Sequence, residues 1–130
     1  MLLRKMLSLI GVGSTQIDLV LEKETYKPSE QVRGQFIIKG GTIEQQLKRI
    51  DCDLVMVDEQ EEKDEVIDYL TILLTDKITP DCDKSIPFTF QLPDDVQETK
   101  GTRSYRFKTR LSFKEGVESI DTDAIRIIRD

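Results

Sequence analysis

The 130-residue chain contains no histidine. Without an imidazole there is no Ser-His-Asp or Cys-His nucleophile pair, no histidine general base and no His-containing zinc site. Tryptophan is also absent, and the few aromatics alternate with polar residues along predicted strands, so little aromatic surface is left to stack a sugar. The two cysteines, Cys52 and Cys82, cannot complete a four-thiolate zinc site. With no convincing export signal they read as free thiols in a cytoplasmic protein. No apolar run is long enough to span a bilayer. Basic residues are in the minority, 19 Lys and Arg against 25 Asp and Glu, and the net charge of −6 argues against a nucleic-acid partner.

What is present suits one domain with wet outer faces. An apolar fraction of 38% beside a charged fraction of 34% fits a thin sandwich better than a thick enzyme core. The first ten residues, MLLRKMLSLI, place Leu2, Leu3, Met6, Leu7, Leu9 and Ile10 on one helical arc and Arg4, Lys5 and Ser8 on the other. Gly11 and Gly13 end that helix. From position 14 to 130 the period becomes two. Ile17, Leu19 and Leu21 precede a Tyr-Lys-Pro-Ser-Glu turn, and Val32, Gly34, Phe36 and Ile38 follow it, so the two segments predict an antiparallel pair. Pro28 presets φ at the first central position, and Ser29 suits the second position of a type I turn. Further alternating runs follow through Ile50, Cys52, Leu54 and Met56, through Ile86, Phe88, Phe90 and Leu92, and through Tyr105, Phe107, Thr109 and Leu111. In VIDYLTILLT the alternation is lost at Ile72–Leu74, which fits a bulge or burial on both faces. Ile125 and Ile127 close the chain. About seven strands with short polar breaks indicate an all-β fold, an antiparallel β-sandwich with one short N-terminal amphipathic helix. The expected core includes Leu19, Leu21, Val32, Phe36, Ile38, Leu54, Phe88, Phe90, Phe107 and Leu111.

Three charged features are candidate sites. The loop DEQEEKDE, from Asp58 to Glu65, has six acids and one lysine but lacks the spacing and turn glycine of an EF-hand, so it reads as a solvated tip, with a calcium-binding module as a remote alternative. Arg106, Lys108 and Arg110 fall on the outward face of RSYRFKTRLSFK, a basic stripe suited to an acidic partner or anionic head group. Carboxylate catalysis would need two acids facing each other across a cleft, one of them with its pKa raised by burial. The pairs Asp121/Asp123 and Asp81/Asp83 sit in or beside polar turns, where they are expected to be solvated. No catalytic residue, metal or cofactor is therefore expected. The N-terminal helix must bury its apolar face on its own sandwich, a second copy, another protein or a membrane surface. A homodimer with Leu3, Met6, Leu7 and Ile10 at the contact is the expectation, with a membrane-surface or trafficking-type adaptor as the alternative.

The segment LEKETYKPSEQVRGQFIIKGG resembles the first hairpin of arrestin-like domains, with their tyrosine or phenylalanine, x, proline-glycine-glutamate, x, valine, x, glycine pattern. More narrowly, MLSLIGVGSTQIDLVLEKETYKPSEQVRGQFIIKGGTIEQQLKRI, the strand IPFTFQLP and the Asp-x-Asp-x-Ile ending at Asp121–Ile125 together resemble the bacterial SpoOM (sporulation-control) family. Ser29 stands where the pattern has glycine, so a type II turn is not expected there. The resemblance implies an arrestin-like sandwich and a non-enzymatic, cytoplasmic regulatory or scaffold role in sporulation and stress physiology, exercised through other proteins. It also implies a second sandwich after this one. The chain stops where that domain would begin, so a single domain without an interdomain groove is expected.

Overall fold

The computed structural model describes residues 14–116 and 118–129. The helix expected over residues 1–12, with Leu3, Met6, Leu7 and Ile10, lies outside the described residues. Those described form nine strands and no helix: β1 (Gln16–Leu21), β2 (Thr25–Tyr26), β3 (Gln31–Lys39), β4 (Gln45–Asp58), β5 (Lys63–Leu73), β6 (Lys77–Ile78), β7 (Asp83–Gln91), β8 (Arg103–Phe113) and β9 (Glu118–Ile127). They make a small sheet in the order β1-β3-β7 and a large one in the order β2-β9-β8-β4-β5, with β6 beside β4. The expected pairing of the segments around the Tyr-Lys-Pro-Ser-Glu turn is present as β1 with β3, antiparallel, Leu19 opposite Phe36. One pair departs from the antiparallel expectation: β2 runs parallel to β9, Tyr26 opposite Ile127.

The period-two faces set the core. Phe36, Phe88 and Phe90 of the small sheet are buried in the core with Phe107 of the large one. Phe88 packs edge-on against Phe36 at 5.1 Å and against Phe107 at 5.4 Å, and Phe90 packs edge-on against Phe107 at 5.1 Å. Nine of the ten expected core residues are buried; Leu21, at the end of its strand, is only partly covered. Ile72, Leu73 and Leu74 keep strict alternation: Leu73 faces solvent while its neighbours pack on the core. The bulge lies earlier, where β4 shifts register between Leu54 and Val55 and Ile67 is left without a cross-strand partner.

The turn also differs from its expected type. Ser29 has φ = 70°, and Glu30 N donates to Lys27 O at 3.1 Å, the arrangement of a type II turn. Tertiary bonds impose it: Ser29 N donates to Pro93 O, Gln91 Nε2 to Ser29 O, and the Ser29 hydroxyl to Asp94. Glu30 closes the loop, its carboxylate accepting from Lys27 N at 2.9 Å and pairing with Lys23, and the Lys23 hydrogen bond holds that carboxyl below its usual range. Tyr26, just before the turn, is buried, and its hydroxyl donates to Lys23 O at 2.7 Å.

The two Asp-Cys-Asp tripeptides have unrelated settings. Cys52 is buried in β4 beside the Thr109 hydroxyl, and burial pushes its thiol up to about 12; Cys82 is exposed after a turn. A thiol-specific reagent at pH 8 is expected to titrate Cys82 alone in the native protein and both cysteines in denaturant, because the thiolate is the reacting form. Rapid native labelling of both would mean that β4 opens locally. The thiol pKa is raised by folding, so its contribution to stability is complete below pH 9, the ordinary value, and is lost as pH rises toward about 12.

Candidate functional site

Among the described residues strand β1 is an edge of the small sheet, and its outward backbone N–H groups are capped by side chains of the large sheet. Ile17 N donates to Ser119 Oγ at 3.2 Å and Leu19 N to Asp121 Oδ2 at 2.7 Å. Thr15 N and its hydroxyl both donate to Gln45 Oε1, at 3.1 and 2.6 Å. Ser119 and Asp121 share the inward face of β9 with Ile125 and Ile127, so the strand enters polar beside the β1 edge and ends apolar in the core. This corrects the expectation that Asp121 and Asp123 lie solvated in a turn: both are in β9, and Asp121 is buried. Carboxylate oxygens of Asp18, Asp121 and Asp123 lie within 4.8 Å of one another. Three oxygens are half or fewer of the roughly six to eight that a calcium ion takes, so the group reads as a seam between the sheets. Asp121→Ala leaves Leu19 N without its buried acceptor and is expected to cost about 2 kcal/mol in urea denaturation. Asp121→Asn keeps an acceptor and should cost less than half of that. An alanine variant as stable as wild type would show that the cap carries no energetic weight.

The acidic loop forms the β4–β5 tip, exposed from Glu59 onward. Its first acid is occupied structurally. Asp58 Oδ1 accepts from the Thr102 hydroxyl at 2.8 Å and from Gln60 N and Glu61 N, and the Thr102 bond leads in holding that carboxyl below its ordinary range.

Arg106, Lys108 and Arg110 do stand together on the outer face of β8, as the alternation predicts. The fold interleaves them with carboxylates from neighbouring strands. Arg106 pairs with Asp64 at 3.2 Å, Arg110 with Glu118 at 3.3 Å and with Asp51 at 3.9 Å, and Lys108 stands opposite Asp53 in the register. Exposed pairs of this kind stabilise little. Their consequence is electrostatic: the stripe is balanced rather than strongly positive.

Sequence periodicity did not single out the last strand of the large sheet. Val66, Tyr69 and Leu73 of β5 are 55, 66 and 78% exposed. All three oppose outward positions of β4, namely Val55, Asp53 and Arg49, so they form an apolar row on the outer face. Beside them an open cleft of about 420 Å³ runs between β5 and the 92–102 connector, lined by Met56, Ile67, Val96 and Tyr105, with Glu65 and Asp95 among its polar residues. The exposed Val-x-x-Tyr-x-x-x-Leu spacing was visible, but only the Ile67 bulge puts these residues on one side. Among the described residues no helix is long and apolar enough to cross a membrane.

The chain matches the SpoOM protein family over residues 3–129. It is 33% identical over 128 residues to the sporulation-control protein spo0M of Bacillus subtilis strain 168, covering 94% of this chain and 50% of that protein. The crystal structure of Spo0M from Bacillus subtilis superposes with a TM-score of 0.83 at 32% identity, over 92% of this chain and 51% of that one. The chain thus spans about half the length of this relative. A Pseudomonas fluorescens alkylpurine DNA glycosylase, AlkC, bound to DNA with an abasic-site analog, matches with a TM-score of 0.56 at 11% identity, over 95% of this chain and 33% of that one, a likeness of fold alone.

Proposed function

The chain belongs to the SpoOM protein family, and from that premise we propose that it is a cytoplasmic, non-enzymatic regulator of sporulation that works by binding other proteins. In this reading an arrestin-like sandwich is the platform and the amphipathic segment over residues 1–12 is a second contact. The row Val66, Tyr69 and Leu73 carries the proposal, because three large apolar side chains more than half exposed on a terminal strand suit a surface that a partner covers. The absence of histidine and the use of Asp121 as a backbone cap support a role without catalysis. The test is affinity capture from sporulating cells with the wild-type chain and with a Tyr69→Ser, Leu73→Ser variant. Proteins retained by wild type and lost by the variant, at unchanged melting temperature, are the expected result. Identical capture by both would remove β5 as the working surface.

A further inference from the structure

We propose that the cleft beside β5 receives an extended basic segment of a partner protein, which pairs with the free edge of β5 and lays a lysine or arginine stem across the cleft floor. This deepens the protein-binding reading and rests on it. Among the described residues, β5 is the last strand of the large sheet, so its far edge has no paired strand. An incoming extended chain gains affinity from such an edge through its backbone and specificity through alternate side chains. Glu65, Val66 and Ile67, consecutive at the bulge of β5, all line the cleft, so its wall carries an acid beside two apolar side chains.

The lining sets the chemistry of the occupant. Met56, Ile67, Val96 and Tyr105 give an apolar floor that suits the methylene stem of a long basic side chain. Glu65 and Asp95 stand among the lining residues, which include no base, and neither acid is ion-paired among the described residues. The two flanking segments, 58–65 and 92–102, hold nine acids and two lysines, so the field around the mouth attracts cations. The nearby guanidiniums are engaged elsewhere: Arg103 donates to Glu98 O at 3.0 Å, Arg129 to Val96 O at 2.8 Å, and Arg106 pairs with Asp64. A neutral or acidic segment would meet the same floor without a counter-charge.

The experiment uses the full chain and two fluorescein-labelled acetylated hexapeptides. One alternates valine with lysine and arginine, and the other carries glutamate at each basic position. Anisotropy should show saturable binding of the basic peptide only, weakened by salt. The Glu65→Gln, Asp95→Asn double variant should weaken it about tenfold, the effect of roughly one charge-assisted hydrogen bond. No binding of the basic peptide, equal binding of the acidic one, or indifference to the double variant would each overturn the proposal. So would light scattering that shows a dimer whose association competes with the peptide, because the occupant would then be a second copy. Retained capture through Tyr69 and Leu73 alongside failed peptide binding would sink the basic-segment assignment and leave the protein-binding reading standing.

Discussion

Phe88→Ala is expected to lower the folding free energy by about 4 kcal/mol, within the range for removing a buried phenylalanine. Phe88 is 1% exposed and its ring meets Phe36 from its own sheet and Phe107 from the other. Truncation therefore opens a cavity at the junction of the two layers and removes two edge-on ring contacts, each of them worth roughly 0.5–1.5 kcal/mol beyond its buried area. Phe88→Leu refills most of the volume and should recover more than half of the loss, at a cost near 1.5 kcal/mol. Urea denaturation followed by circular dichroism separates the two. An alanine cost under about 1 kcal/mol, typical of a surface change, would show that the aromatic cluster does not hold the sheets together.

The second large effect has a steric origin. Gly34 sits on the inward face of β3, opposite Leu21 on one side and Phe88 on the other. A Cβ built there would lie 2.2 Å from the carbonyl oxygen of Val20, a backbone atom that no side-chain rotation can move aside. Gly34→Ala must push β1 away from β3 and strain the capping bonds from Ser119 and Asp121, so a cost of about 3 kcal/mol is expected, near the upper end for overpacking. Gly101 supplies the control. Its φ is +61°, but a Cβ there meets nothing, so Gly101→Ala should cost only about 1 kcal/mol through its dihedral angle. Equal costs at the two sites would mean that the close approach at Val20 relaxes freely.

The strands that carry the core were readable because burial on one face writes a period of two into the sequence. Phe36, Ile38, Leu54, Phe107 and Leu111 are each fully buried where alternation placed them. Features decided by distant partners were not readable. Asp121 looks like a turn residue until a backbone N–H 102 residues away is seen to satisfy it. Ser29 takes a positive φ because Pro93 and Gln91 bind its backbone, although local preference favours the type I form. The basic stripe was found, but its balance was not, because Asp51, Asp64 and Glu118 reach it from other strands. The alignment of Val66 with Tyr69 and Leu73 depends on a one-residue bulge, and such a shift leaves no mark on composition.

The seam between β1 and β9 bears on how the chain reaches this state. Ile17 N and Leu19 N are capped by residues 102 positions later in sequence, and β2 pairs with β9 across a similar span. Closing such long loops costs entropy before any contact is rewarded, so folding belongs with the slow, high-contact-order β proteins, in milliseconds to seconds rather than microseconds. During synthesis β1 and β3 can pair early, but Ile17 N and Leu19 N have to wait for their acceptors until β9 has been made. In that interval the nascent chain presents an open strand edge to its neighbours, the state most exposed to misassembly. The strand that brings Ser119 and Asp121 to cap β1 also brings Ile125 and Ile127 to the core, so capping of the edge and filling of the core wait on the same segment.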